Sequence, residues 1–203
     1  MRKLETVDIR VGPYRVVPMR ISHALSMRKW GSHDSALYRE YNYADLTDAQ
    51  MHGWHAVRST KSNFYYAILE GDACIGFIGL KEMNFLRRGA TLGFAIDKNR
   101  IGEGLGSRVM AAFLPVYFGL GFNAMNLFVY GYNTRAFNLY TKLGFSVIEK
   151  TVEEIRNPDN FPSEAEVEEN PDAFIRLKES YLLEVYQMRL TRAEARSGGD
   201  YEV

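Results

Sequence analysis

Two apolar runs, FYYAILE (64–70) and CIGFIGLKEM (74–83), flank the turn residues Gly71 and Asp72 and predict a β-hairpin. After Arg87, Arg88 and Gly89, the run ATLGFAID (90–97) predicts a third strand in this series. Upstream, YRVVPMRI (14–21) reads as a short first strand. From Ser22 to about Thr60 the pattern is mostly helical, interrupted at Gly31 and Gly53, and rich in the large aromatics Trp30, Tyr38, Tyr41, Tyr43 and Trp54. Downstream, Leu105, Val109, Ala112, Phe113 and Val116 recur at helical spacing. Pro115 is expected to kink or shorten that helix near Ala111. NLFVYGY (126–132) predicts a strand. Asn133 then opens a helix with the stripe Ala136, Phe137, Tyr140 and Leu143, and Gly144 suits a left-handed cap at its end. FSVIEKTV (145–152) and YLLEVYQMRL (181–190) complete the strands. Between them lies an acidic stretch with three prolines and eight carboxylates from Glu153 to Asp172, read as an ordered or half-ordered insertion over about 153–178. The tail 193–203 is expected to be frayed, so residues 1–192 form one domain.

Composition narrows the class. The chain has 203 residues, with 46% hydrophobic and 13% aromatic content, enough for a real core. Lysine plus arginine and aspartate plus glutamate number 25 each, and this balance argues against a general nucleic-acid binder. The single cysteine, Cys74, lies in an apolar run and reads as buried filler. With no partner for a disulfide, no apolar leader and no long apolar span, the expected setting is cytoplasmic, with no membrane contact. His52 and His55 in HGWH could share one helix face, but no third ligand accompanies them, so no metal is expected.

Residues 99–109, NRIGEGLGSRV, place glycine at 102, 104 and 106 between a strand and a helix. Backbone N–H groups at a helix N-terminus form a cradle for phosphate, and glycine lets phosphate oxygens approach closely. The nucleotide-hydrolase loop GxxxxGK[ST] is not matched, and the dinucleotide fingerprint GxGxxG fails as well. On the loop alone, a flexible turn between strand and helix remains the alternative.

Further along, Asn133, Ala136, Leu139, Tyr140, Lys142, Gly144 and Phe145 fall in the order NxxAxxLYxKxGF. With Gly104 and Gly106 upstream, the chain resembles the GNAT superfamily of N-acetyltransferases over roughly residues 14–190. It looks most like the branch of ribosomal-protein N-terminal and spermidine acetyltransferases. Ile101 stands where the family prefers glutamine or arginine, with Arg100 one residue early.

The resemblance implies an α/β fold with a single mixed, mainly antiparallel sheet of about six to seven strands, splayed at an acetyl-CoA site. The pyrophosphate would lie on Arg100, Ile101, Gly102, Glu103, Gly104, Leu105, Gly106 and Ser107. The pantetheine arm would lie along Phe94, Ala95 and Ile96, with Asn133 adding a contact besides its capping role. Tyr140 would protonate the departing thiolate. The glutamate that relatives often carry on the LGFAID strand is absent, since Ala90 and Thr91 stand before Leu92. Glu82 is then the candidate base. The acceptor, a protein N-terminus, polyamine or other small amine, would sit between the aromatic stretch 30–54 and the acidic insertion 153–172. A homodimer is possible. The alternative is a CoA-binding sensor or assembly module without chemistry, motivated by the missing strand glutamate and by Ile101.

Overall fold

A computed structural model describes residues 3–197. One sheet organises the chain. Strands β1 (Ile9–Val11), β2 (Tyr14–Pro18), β3 (Phe64–Glu70), β4 (Ala73–Asn84), β5 (Gly89–Ile96), β6 (Ala124–Tyr130), β7 (Ser146–Ile155), β8 (Phe174–Arg176) and β9 (Tyr181–Thr191) run in the order β1-β2-β3-β4-β5-β6-β9-β7, with β8 also pairing β9. Every pairing is antiparallel except β5 with β6. The sheet therefore carries more strands than the six or seven expected. β1 and β8 have three residues each, too few to leave a period-two signal.

Helices cover both faces. α1 (Ile21–Ser26) and α2 (Asp48–Arg58) pack on one face, where Ala24, Met27, Trp30, Met51, Tyr65, Phe77 and Ala95 form a buried cluster. α3 (Leu105–Gly119) and α4 (Thr134–Lys142) pack on the other, with Val109, Phe113, Leu127, Tyr140 and Met188 in the main core. The side-chain alternation of β5 matches this division: Ala90 and Leu92 join the α3–α4 core, and Ala95 joins the opposite one. Cys74 is buried, and burial pushes its thiol up to about 12, as suits a core filler.

Several local expectations are corrected. Gly53 does not interrupt a helix, because α2 continues through it to Arg58 behind a Thr47–Gln50 capping box. The first helical segment instead breaks into α1, a 3-10 turn and a 3-10 helix, Ala36–Tyr41. Pro115 does not shorten α3, which runs to Gly119; tertiary packing of Phe113, Leu114, Tyr117 and Phe118 outweighs the lost hydrogen bond. The insertion is ordered. It holds the end of β7, α5 (Glu164–Glu169) and β8, and Phe161, Ala173 and Phe174 pack with Leu37, Tyr132 and Leu183. The expected frayed tail begins as α6 (Arg192–Ser197), with the Arg192 guanidinium donating to the Phe118 and Phe122 carbonyls. Residues 198–203 lie outside the described residues. Among those described, no helix is long and apolar enough to cross a membrane.

Candidate active site

The sheet parts between β5 and β6. Gly89, Ala90 and Thr91 pair with Ala124, Met125 and Asn126, and no further pair joins the two strands. Beyond Thr91 the polar edge of β5 is therefore open towards β6. Asp97 donates its N–H to Ile75 of β4, so by alternation the backbone groups of Phe94 and Ile96 face the gap. Those two residues, with Ala95 between them, are the ones expected to carry the pantetheine arm.

The glycine loop closes the wide end of the gap. Gly104 caps α3 in the left-handed region (φ +69), and Gly102 has φ +96. A Cβ at either position would meet nothing within 4 Å, so both face open space. The first helical N–H to find a partner within α3 is that of Arg108, on the Gly104 carbonyl, which leaves the amides of Leu105, Gly106 and Ser107 pointing out of the N-terminus. Gly106 serves a different need. A Cβ there would lie 3.3–3.4 Å from Leu139, Ile96 and Phe94, so glycine allows α3, α4 and β5 to converge at the gap.

Arg100 is already engaged. Its Nε donates to Glu103 at 3.0 Å, and its two terminal nitrogens donate to the Glu70 carboxylate at 2.5 and 3.0 Å. It braces the loop against β3, with both faces of its guanidinium committed. Arg108, whose guanidinium lies 5.2 Å from the Tyr14 ring centroid and donates to the Glu103 carbonyl, is a second cation at this mouth. Ile101 offers no side-chain polar group, so the cradle is a backbone one.

On the far wall, Asn133 caps α4 by accepting the Ala136 N–H at 3.1 Å. From there α4 folds back along β6. Tyr140, seven residues on, lies about 10 Å further along the helix and packs into the α3–α4 core. It is 7% exposed, yet among the described residues its hydroxyl has no hydrogen-bond partner and is not sealed from solvent. Burial holds its pKa well above the ordinary phenol value.

The helix end explains the YxKxGF spacing. Phe145 N–H donates to the Tyr140 carbonyl and Gly144 N–H to that of Thr141, both at 3.0 Å, with Gly144 at φ +87. This is a Schellman cap, and Phe145 makes its apolar contact with Tyr140 itself.

Glu82 stands at the narrow end, in the irregularity where β4 and β5 lose register between Lys81 and Asn84. Its φ is +53, its backbone N–H donates to Asn63, and its carboxylate accepts from Thr91 at 3.3 Å. Thr91 belongs to the last β5–β6 pair, so Glu82 adjoins the apex of the gap. It is exposed, and no contact joins it to Tyr140.

Sequence reasoning missed the bolt between the two loops that flank the gap. The Asp97 carboxylate accepts from Gly31 and Asn99, while Lys98 Nζ donates to the Ser32 carbonyl and to Asp34. Sequence gives no sign of it, since Gly31, Ser32 and Asp34 lie more than sixty positions from Asp97 and Lys98.

A sheet opened between parallel neighbours, with a glycine-rich helix N-terminus at its mouth, is open to an extended acyl carrier. The acetyltransferase (GNAT) family model matches residues 26–145, and the chain belongs to that family. Solved structures with the same fold include a spermidine N-acetyltransferase from Vibrio cholerae in complex with CoA and spermine, at 15% identity and a TM-score of 0.67, covering 91% of this chain and 98% of that one. Mutant forms of the spermidine/spermine N-acetyltransferase SpeG from the same organism align at 16% identity and a TM-score of 0.64, covering 92% and 99%. No curated protein sequence matches the chain.

Proposed function

We propose that the protein transfers the acetyl group of acetyl-CoA to a primary amine by direct attack, without a covalent enzyme intermediate. One observation carries the reading: beyond Thr91 the edge of β5 is unpaired towards β6, and the helix that follows β6 carries Tyr140, whose hydroxyl has no protein partner among the described residues. An amide-bearing pantetheine arm can occupy that edge as a surrogate strand, with its pyrophosphate on the amides of residues 104–107. The neutral amine attacks the thioester carbonyl. A β5 N–H, at Phe94 or Ile96, stabilises the oxyanion. Collapse breaks the C–S bond, Tyr140 protonates the sulfur, and the ammonium proton leaves through Glu82 or water. The products are an amide and free CoA. Cys74 takes no part.

The test is turnover. Acetyl-CoA with a panel of primary amines should release free thiol and yield amines heavier by one acetyl group. Acetyl-CoA binding without turnover of any amine would leave only the non-catalytic module.

A further inference from the structure

On the α1–α2 face of the sheet, one row of cross-strand neighbours reaches the gap from both sides. Tyr65 pairs with Gly79 and Gly79 with Gly93, while beyond the gap Phe128 pairs with Gln187. Gly93 and Phe128 each stand two residues past the Thr91–Asn126 pair, so they face each other across the opening. Alternation fixes the face: Leu92, Leu127 and Val129 point into the α3–α4 core, and Tyr65, Phe77 and Ala95 into the α1–α2 cluster. Phe128 is 58% exposed although its strand lies inside the sheet.

The wall opposite Phe128 is cationic. A Cβ on Gly93 would lie 3.4 Å from Lys81 Cε and 3.8 Å from the Tyr65 hydroxyl, so the Lys81 side chain crosses Gly93 and its ammonium ends beside the gap. The Arg58 guanidinium lies 5.9 Å from the Tyr65 ring centroid and donates to the Trp54 carbonyl. Among the described residues neither cation is paired with a carboxylate. Glu82, next in sequence to Lys81, is held by the Thr91 hydroxyl instead.

Two uncompensated cations beside the reacting amine act against an acceptor with a further ammonium and in favour of one that carries an anion. Phe128, across the opening, offers an aromatic face to an apolar group. Its neighbour in the row, Gln187, is neutral. The α-carbon of an amino acid joins an amine, a carboxylate and a side chain. The amine can therefore enter the gap while the carboxylate turns to Lys81 and the side chain to Phe128. A protein N-terminus would bring a neutral amide in place of that carboxylate.

We propose that Lys81 binds a carboxylate of the acceptor and Phe128 its side chain, so that the substrate is an α-amino acid with an apolar side chain. The amide bond forms at the α-amine as the thioester C–S bond breaks, giving an N-acetylamino acid and free CoA. This rests on the amine-acetylation reading above.

The experiment uses the intact protein with acetyl-CoA and compares three acceptors: phenylalanine, phenethylamine, which lacks only the carboxylate, and glycine, which lacks the apolar side chain. The expected result is a kcat/KM at least about tenfold higher for phenylalanine than for either of the others. In Lys81→Met the phenylalanine-to-phenethylamine ratio should fall towards one, with most of the loss in the KM for phenylalanine. In Phe128→Ala the phenylalanine-to-glycine ratio should fall in the same way. The acetyl-CoA thermal shift of each variant reports that it is folded. Equal kcat/KM for phenylalanine and phenethylamine in the wild type, or an unchanged ratio in either variant, would overturn the inference and leave the acetyltransferase reading intact. Preference for spermidine, or for phenylalaninamide, over phenylalanine would also overturn it. Turnover of no amine at all would overturn both readings.

Discussion

Phe145 stands edge-on to Tyr140 with ring centroids 5.7 Å apart, and its N–H closes the helix on the Tyr140 carbonyl. The residue proposed to protonate the leaving thiolate is thus held by the cap that ends its own helix. Gly144, at φ +87, makes that cap possible. Gly144→Ala forces an alanine into the left-handed region at a cost of about 1–2 kcal/mol. The expected outcome is a lower melting temperature together with a fall in kcat larger than the change in KM, measured by thermal unfolding and steady-state kinetics.

Tyr140→Phe removes a hydroxyl with no protein partner, so stability should change by less than about 0.5 kcal/mol. Loss of a general acid should lower kcat by about 10²–10⁴. A variant with full activity across pH would contradict the role.

Burial raises the pKa of Tyr140, as it does for Tyr66 and Tyr117. Below pH about 10 folded and unfolded chains both keep these phenols protonated, and the stabilisation is fully present. Above it the unfolded chain releases the protons first, so stability falls as pH rises. Melting temperature should therefore drop steeply on the alkaline side, and less steeply in Tyr140→Phe.

Asp97 holds Gly31 and Asn99 while lying only 9% exposed. Asp97→Ala strands two N–H donors, a loss of about 1–3 kcal/mol for each left unsatisfied. Because Gly31 leads into the aromatic stretch and Asn99 into the glycine loop, KM should rise for both acetyl-CoA and the amine. Kinetics with each substrate varied in turn would show it.

Glu82→Gln keeps the shape of the β4–β5 irregularity and removes the carboxylate that Thr91 donates to. If Glu82 relays the amine proton, kcat should fall about tenfold or more at neutral pH with the acetyl-CoA thermal shift preserved. An unchanged pH–rate profile would assign the proton to water.

The parts of this fold legible in the sequence are those fixed by local chemistry. The β3–β4 hairpin is marked by Gly71 and Asp72, the start of α4 by Asn133 and its end by Gly144, and each stands where the pattern puts it. The glycine loop and the Tyr140 spacing were legible as a pair, because a strand, cradle and helix must follow one another in order. What escaped depends on distant partners. Gly53 sits in a helix because Met51 and Trp54 pack beneath it, and Pro115 because Phe113 and Tyr117 do. Arg100 reads as a free cation until β3 brings Glu70 to it.

The central claim is that the gap between β5 and β6, with its glycine mouth, is an acetyl-CoA site. Thermal unfolding with acetyl-CoA, CoA and ATP in parallel tests it most directly. A ligand at about 100 times its dissociation constant adds about 2.7 kcal/mol to the native state. Stabilisation by acetyl-CoA and CoA but not ATP, abolished in Gly104→Ala, is the predicted result. No response to either CoA species, or an equal response to ATP, would contradict it.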